Sequence, residues 1–320
     1  MDFNSIEKAF TKKEGFDNGS NPKYDINFDD VTIIVPTLDE EEAISFVIDD
    51  LQIEGYDNIL IVDGNSKDNT IEIVKEKKIP YITQKGKGKT GAILSALKYV
   101  KTPYIVLIDG DRTYAAKNIQ NLFPYISEFD EVIGARETGR ENITKLNQFG
   151  NRFINFYFNV LFDTKLSDVC SGMYLLKTEF AKSLILETEG FDIEVEIAAH
   201  AALNKSIVES PIDFFSRLGT QKLNPLSDGL KILTTISKMA MKYQRLRFIS
   251  FIAIMMMFPG ILLLSYPFIF NILRYDPSSY FIGLLFLVFS VQGFILLFID
   301  SRFLKKDNIN KKNRVKQTKI

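Results

Sequence analysis

Between residues 31 and 108, short apolar runs alternate with segments in which apolar residues have helical spacing. This alternation constrains the fold more strongly than any other feature of the sequence. A repeated strand-helix-strand order is typical of a parallel sheet covered by helices on both faces. We therefore expect an α/β fold with a doubly wound, mostly parallel sheet. The predicted strands are 31–35, 58–62, 80–83 and 104–108, and the predicted helices between them are 40–53, 68–77 and 90–100.

Polar residues follow each of these predicted strands. In doubly wound sheets, ligands bind in the crevice beyond the carboxyl ends of the strands. The sequence therefore predicts a ligand site formed by four neighbouring loops. These loops are 36–40, 63–68, 85–89 and 109–111.

The triplet Asp109-Gly110-Asp111 directly follows the fourth apolar run. Two carboxylates at this spacing can reach one hard cation, and the glycine between them permits a tight turn. A cation held by one or two carboxylates keeps open positions, which substrate phosphates usually fill. The triplet therefore predicts a metal-diphosphate site, with a solvated turn as the alternative.

Composition excludes several classes of function. The net charge of −1 gives no general case for nucleic-acid binding. One cysteine and one histidine argue against an intramolecular disulfide, a Cys-rich zinc site and a Ser-His-Asp triad. The turn at 86–89 resembles the end of a P-loop, but Thr83 stands where that motif needs glycine.

Residues 248–273 and 281–299 are almost wholly apolar, and each is near the roughly 20 residues that cross a bilayer as a helix. A short polar connection makes them a predicted transmembrane hairpin, with a buried hairpin in a soluble core as the alternative. Basic residues flank both stretches, so the positive-inside rule places the flanks, and with them both termini, in the cytoplasm.

Three further segments complete the predicted organisation. Residues 1–30 are polar, show no signal peptide and are expected to form a loosely ordered lead-in. Residues 226–247 have helical spacing of apolar positions with lysines beside them, which predicts an interfacial helix or, equally, a packing helix. Residues 300–320 form a basic tail.

Taken together, the motifs resemble those of family 2 glycosyltransferases and, more narrowly, dolichyl-phosphate sugar synthases. The resemblance extends from about residue 31 to 223 and depends on the order and spacing of its segments. These segments are 34–41, 62–70, 85–88, 109–111, 134–136, 167–173, 190–196 and 216–223. It implies a catalytic domain of the GT-A type over residues 31–225.

The resemblance further implies transfer of one sugar from a nucleotide diphosphate sugar to dolichyl or polyprenyl phosphate, with inversion, for glycan assembly such as protein N-glycosylation. Mg²⁺ or Mn²⁺ is the expected cofactor, with Asp109 and Asp111 as its ligands. The expected catalytic residues are Asp109, Asp111, Arg136, Asp168 and Glu196. The expected nucleotide-sugar contacts are Pro36, Thr37, Glu40, Asp63, Lys87, Lys89 and Asp109, and the expected acceptor-phosphate contacts are Arg136, Arg152, Arg217 and Lys222.

Two departures from the family pattern bear on the donor. Gly64 stands where many relatives carry a second aspartate, and Arg112 and Thr113 follow Asp111 where mannose-transferring members often have Leu-Gln. The first departure means that contacts with the nucleotide base depend on Asp63. The second favours UDP-GlcNAc or UDP-glucose over GDP-mannose, which is the alternative donor.

Two other functions are compatible with parts of the sequence. A processive polysaccharide synthase usually has more membrane spans and a Gln-x-x-Arg-Trp signature, whereas this chain has no tryptophan. A non-catalytic membrane scaffold that binds nucleotide sugars is disfavoured because both aspartates of the triplet are present.

Overall fold

The computed structural model describes residues 26–220, 222, 224–269, 278 and 281–296. The chain divides into two compact units, one formed by Met1–Asn159 with Asp163–Ile236 and the other by Val160–Phe162 with Ser237–Ile320. Each unit is described by itself below.

The first unit is built on a seven-stranded sheet with the order β3-β2-β1-β4-β6-β5-β7. Strand β6 runs antiparallel to its neighbours β4 and β5, and the other pairs are parallel. The mostly parallel α/β sheet is therefore confirmed. The strands are β1 Val31–Thr37, β2 Ile59–Asp63, β3 Tyr81–Thr83, β4 Tyr104–Leu107, β5 Glu131–Thr138, β6 Tyr174–Lys177 and β7 Ile207–Asp213.

Three helices connect the first four strands, as the alternation predicts. They are α1 Ile44–Ile53, α2 Thr70–Glu76 and α3 Gly88–Ala96. Helix α1 begins later than predicted because residues 40–43 form a turn, in which the Glu40 amide donates to Thr70 Oγ1 at 2.8 Å. The central strands are apolar and buried on both faces, which fixes the positions of the loops at their carboxyl ends.

The second half of the unit contains helices α4 Lys145–Phe162, α5 Thr178–Ser183, α6 Ile193–Leu203 and α7 Pro225–Tyr243. Helix α4 begins at Thr144, whose side chain accepts a hydrogen bond from the Asn147 amide. Sequence reasoning missed strand β7, which pairs in parallel with β5 and places the segment after residue 213 beside the fourth strand end.

Part of the predicted lead-in packs on this unit. Ile26 is buried, and the ring of Phe28 lies 5.0 Å from that of Tyr56 and 6.3 Å from that of Phe123. The ordered domain therefore starts at least five residues before β1, and residues 1–25 lie outside the described part of the chain.

Helix α7 corresponds to much of the predicted interfacial segment. Ile232 and Ile236 are buried, and Thr235 Oγ1 donates to Asp192 Oδ2 at 2.7 Å. Leu226 and Leu230 are exposed. The first part of α7 is therefore a packing helix of the first unit that also exposes apolar side chains.

The second unit contains helices α8 Arg245–Ile269 and α9 Phe281–Leu296. The α8 segment Arg245–Ser265 has a mean hydropathy of 2.3 and, by length and composition alone, could cross a membrane. The two helices meet at small residues: Ser290 Oγ donates to the Ala253 carbonyl at 2.9 Å, and Gly283 lies against Gly260. The predicted connection and the basic tail fall on residues that the structure does not describe, apart from Ser278.

Candidate active site

A cavity of about 470 Å³ lies in the first unit, beyond the carboxyl end of β4. Its lining combines carboxylates, guanidinium groups and apolar side chains. The charged lining residues are Asp109, Asp111, Arg136, Glu194 and Arg217, and the large apolar ones are Ile143, Leu146, Phe149, Ile154, Phe191, Phe214, Phe215, Leu226 and Ile232.

Asp111 is held by one loop neighbour and one distant cation. Its Oδ1 accepts from the amide and hydroxyl of Thr113 at 3.1 and 2.6 Å, while Arg217 Nη1 donates to Oδ2 at 2.7 Å. Burial raises the pKa of Asp111, and the negative charge of Asp109 raises it further. The two carboxylates are therefore close enough to repel each other, and a cation between them would relieve that repulsion.

Asp109 is paired with a buried lysine. Lys89 Nζ donates to Asp109 Oδ1 at 2.7 Å and to Glu194 Oε1 at 2.6 Å. Burial lowers the pKa of Lys89, but the charges of Asp109 and Glu194 outweigh burial and hold the pKa well above its usual value. A Cβ atom at Gly172 would overlap the Asp109 carboxylate, so a larger residue there would force that carboxylate to shift.

Arg217 connects Asp111, a predicted metal ligand, with Glu40, a predicted nucleotide-sugar contact. Its Nη2 donates to Glu40 Oε1 at 2.6 Å, and Lys222 Nζ donates to the same oxygen at 2.6 Å. Burial raises the pKa of Glu40 despite both cations, and the other carboxylate oxygen is buried without a hydrogen-bond partner among the residues that the structure describes. The structure therefore joins Glu40, Asp111, Arg217 and Lys222 in one charge network.

Arg136 lines the cavity and is fixed by Asp168. Its Nε and Nη2 each donate to the Asp168 carboxylate at 2.6 Å, and the guanidinium lies 5.2 Å from the centre of the Phe214 ring. A paired, planar guanidinium of this kind is oriented rather than free to rotate. Asp168 itself is buried behind Arg136 and does not line the cavity, so it acts on this site through the arginine.

Glu194 lies where the resemblance placed Glu196. Residues two positions apart on a helix point to nearly opposite sides, and of Glu194 and Glu196 only Glu194 lines the cavity. The Glu196 carboxylate instead accepts from the Glu187 amide at 2.8 Å and from the Thr188 hydroxyl at 2.6 Å. The structure therefore does not bring Glu196 to the cavity, and its catalytic role stays a prediction.

Several predicted nucleotide contacts lie at neighbouring strand ends outside the cavity lining. Thr37 and Asp63 are paired across β1 and β2, and the Asp63 carboxylate accepts from the amides of Asn65 and Ser66 at 3.1 Å each. Pro36 precedes this pair on β1, and Lys87 is exposed just before α3. Arg152 is exposed on α4 and is not a lining residue.

The donor set fits a divalent cation completed by substrate. Within the described residues, no cluster of three or more His, Cys, Asp or Glu side chains could hold a metal. Asp109 and Asp111 supply hard oxygen ligands, and their mutual repulsion favours a positive charge. Two carboxylates with further positions left for phosphates are the usual arrangement for Mg²⁺ at a nucleotide site.

Comparison with known proteins identifies the family. The profile of glycosyl transferase family 2 matches residues 32–185. A dolichyl-phosphate hexose transferase of Haloferax volcanii is 30% identical, over 69% of this chain and 97% of that protein. The chain belongs to glycosyl transferase family 2. It is therefore a glycosyltransferase, and the cavity is the candidate active site of a family 2 enzyme.

Other relatives in the same family are similarly close. Glycosyltransferase AglJ of Haloferax volcanii is 33% identical, over 63% of this chain and 69% of that protein. A UDP-N-acetylglucosamine–dolichyl-phosphate N-acetylglucosaminyltransferase of Methanococcus voltae is 29% identical, over 57% of this chain and 84% of that protein. Both resemble this chain in sequence over most of their own length.

A solved structure supports the fold. Glucosyl-3-phosphoglycerate synthase from Mycobacterium tuberculosis, in complex with Mn²⁺, UDP-glucose and phosphoglyceric acid, superposes with a TM-score of 0.54. The alignment covers 75% of this chain and 84% of that one at 16% identity. At this identity the likeness establishes a shared GT-A-like fold.

Sequence reasoning missed three contributors to the cavity. The sequence predicted Glu196 instead of Glu194. Tyr114, whose Oη accepts from the buried Gly172 amide at 2.7 Å, was not predicted, and neither was Phe214, which follows the unpredicted strand β7. Five lining residues between positions 191 and 217 lie beyond the end of the family match at residue 185, and tertiary packing brings them to the cavity. They are Phe191, Glu194, Phe214, Phe215 and Arg217.

Proposed function

We propose that this glycosyltransferase transfers one sugar from a nucleotide diphosphate sugar to dolichyl or polyprenyl phosphate, with UDP-GlcNAc or UDP-glucose as the favoured donor. The observation that carries the proposal is a single cavity that joins Asp109 and Asp111 to two guanidinium groups and a large apolar lining. A lipid phosphate needs positive charge for its phosphate group and apolar contacts for its lipid chain. A nucleotide diphosphate needs the metal site formed by Asp109 and Asp111.

The donor half of the reaction depends on the charge network. Asp109 and Asp111 would hold Mg²⁺ or Mn²⁺, which when bound supplies positive charge to the departing nucleotide diphosphate. Lys89 is kept charged beside Asp109 and can add to that stabilisation. Glu40 and Asp63 hold the loops after β1 and β2, where we place the nucleotide.

The acceptor half needs orientation rather than a strong base, because a phosphate is already anionic. Arg136, fixed by Asp168, and Arg217, paired with Asp111 and Glu40, both line the cavity, and their positive charge can attract and orient a phosphate. Direct attack of that phosphate on the anomeric carbon inverts its configuration. We therefore expect a β-linked product from an α-linked donor.

The apolar helices of the second unit fit a membrane-bound acceptor. We propose that α8 and α9 form the transmembrane hairpin and that the catalytic unit and both termini face the cytoplasm. Anchoring the enzyme in the bilayer that holds its acceptor raises their effective concentration. The relatives named for dolichyl-phosphate chemistry support the same acceptor.

The deciding experiment is a donor panel. Purified full-length protein in vesicles with dolichyl phosphate is supplied with labelled UDP-GlcNAc, UDP-glucose or GDP-mannose, with Mn²⁺ or with EDTA. We expect a lipid-linked monosaccharide from one UDP-sugar, formed only with metal. Turnover of GDP-mannose alone would select the alternative donor.

Product size and acceptor dependence separate the remaining functions. A polymeric product would contradict single transfer and indicate a processive synthase. Binding of a UDP-sugar without turnover on any polyprenyl phosphate would indicate a scaffold. Transfer to a soluble acceptor in preference to the lipid would contradict the proposed acceptor class.

A further inference from the structure

Helix α4 presents a row of exposed apolar side chains along one face. Their positions follow a spacing of three, four and three residues, which places them on one stripe of the helix. The exposed fractions are 59% for Leu146, 72% for Phe149, 48% for Phe153 and 54% for Phe156. Three phenylalanines exposed in one row are unusual for a surface that faces only water.

Another face of α4 already has a packing role. Ile154 and Phe158 are buried in the first unit, and the ring of the buried Tyr157 stacks on Phe153 of the exposed row, with ring centroids 6.4 Å apart. The exposed row is therefore not needed to hold the helix on the sheet. We call Leu146, Phe149, Phe153 and Phe156 the α4 stripe.

The charged side chains of helix α4 are all positive. The segment from 145 to 162 contains Lys145 and Arg152 but no aspartate or glutamate, and both cations are exposed. Arg152 stands three residues after Phe149 and four before Phe156, so it borders the stripe. An exposed aromatic row on a helix whose only charged side chains are cations matches a surface with an apolar interior and anionic headgroups.

The α4 stripe is continuous with the cavity lining. Leu146 and Phe149 belong to both, and Leu226 of α7, which is 73% exposed, also lines the cavity. Apolar surface therefore runs from the cavity along α4 without a change of helix. A partner that covers the stripe would lie at the cavity opening.

We propose that the α4 stripe docks the catalytic unit on an anionic lipid bilayer, with its phenylalanines at the boundary between headgroups and acyl chains and Arg152 on headgroup phosphate. A bilayer is favoured over a second copy because the helix combines exposed aromatic groups with two exposed cations and no acidic residue, and because α8 gives the same chain a candidate membrane span. This docking goes beyond the proposed sugar transfer, and its test measures no transfer.

The absence of tryptophan from the whole sequence gives a sharp test. Full-length Phe153→Trp and Phe156→Trp each carry a single tryptophan and are reconstituted in phosphatidylcholine–phosphatidylglycerol vesicles with or without brominated acyl chains. Ile53→Trp is the matched control, because Ile53 is 80% exposed on α1, away from the stripe. We expect blue-shifted emission and at least about twofold quenching by bromolipid at 153 and 156 only.

Two outcomes would overturn the proposal. The first is water-like, unquenched emission at both stripe positions. The second is a blue shift in detergent that grows with protein concentration and is insensitive to bromolipid, which would indicate contact between copies.

The role of Arg152 is tested in the same system. One cation near an anionic surface contributes about 1 kcal/mol, so Arg152→Gln in the Phe156→Trp background should weaken docking about fivefold. The loss should appear with phosphatidylglycerol and be absent in pure phosphatidylcholine. Equal quenching with and without Arg152 in anionic vesicles would exclude the headgroup contact.

Discussion

Strands β2 and β4 both run through the buried part of the sheet and both lead into an Asp-Gly pair, yet their aspartates are bound in different ways. Asp63, at the end of β2, accepts from two amides in its own loop, at positions 65 and 66. Asp109 and Asp111, after β4, accept from Lys89 and Arg217, which lie 20 and 106 residues away in the sequence. Asp111 also accepts from Thr113 in its own loop, so the distant cations are what distinguishes these two aspartates from Asp63.

The difference separates two uses of a carboxylate. The backbone amides that bind Asp63 belong to the same loop and fix its shape. These hydrogen bonds cannot be lost without a change in the loop conformation. Cationic side chains from distant segments can turn away when a metal or a phosphate arrives. We therefore expect Asp63 to keep its loop in shape. We expect Asp109 and Asp111 to exchange their cationic partners, Lys89 and Arg217, for a bound metal during catalysis.

The largest expected effect tests this contrast at Asp111. Asp111→Asn keeps the shape and the contact with Thr113 but removes a charge from the metal site. Loss of charge stabilisation at a reacting centre typically lowers kcat by about 10²–10³-fold. Transfer kinetics and Mn²⁺ affinity in the presence of UDP should fall together.

Asp63→Asn is the matched control. It weakens two hydrogen bonds to a charged acceptor, so the free energy of unfolding should fall by about 1–3 kcal/mol while kcat changes less than for Asp111→Asn. Similar losses of kcat in the two variants, with unchanged stability for both, would remove the distinction between the strand ends.

The next effect separates Glu194 from Glu196. Glu194→Gln disturbs the position of Lys89 beside Asp109 and alters the cavity wall, so kcat should fall by about tenfold to 100-fold with little change in Tm. Glu196→Gln loosens the 187–188 loop and should lower Tm while transfer continues. If Glu196→Gln instead abolished transfer at unchanged Tm, the original assignment to Glu196 would be right.

This pair also shows how far sequence could reach. The apolar runs determine β1 to β4, and the rule for strand ends brought Asp63, Asp109 and Asp111 to one edge. The family resemblance found the 190–196 segment but not which carboxylate enters the cavity. That choice depends on where α6 begins and how it packs, which a motif does not contain.

The second half of the sheet was less predictable for a physical reason. Strand β7 contains Glu209, Ser210 and Pro211 within its pairing with β5, so it lacks a continuous apolar run. Without β7, the approach of Arg217 to Asp111 could not be foreseen. Local pattern thus predicted the donor side of the site, while long-range pairing decided the cations around it.

A smaller effect concerns the exchangeable partner Arg217. Arg217→Gln leaves Asp111 and Glu40 with less compensation, so the metal-free protein should lose about 1–3 kcal/mol of stability after allowance for the partial exposure of the arginine. Added Mn²⁺ with UDP should raise Tm more in this variant than in the parent, because it replaces lost positive charge. Equal Tm shifts would show that Arg217 and metal do not share Asp111.

The smallest effect concerns Glu131, a carboxylate that differs from both strand-end types. It is 1% exposed at the start of β5, and within the described part of the chain one of its oxygens has no hydrogen-bond partner. Burial raises its pKa well above the usual value, and the charge of Glu194 adds to this.

A raised pKa in the folded state means that the folded protein binds the proton of Glu131 more tightly than the unfolded protein does. Stability should therefore fall as the pH rises from the pKa of the unfolded state, 4.5, through the pKa of the folded state. Glu131→Gln should remove this loss, leave Tm unchanged at pH 4 and raise it by about 2–4 °C at pH 8. Thermal unfolding across this range measures the difference, and parallel Tm curves for parent and variant would show that Glu131 is compensated in the fold.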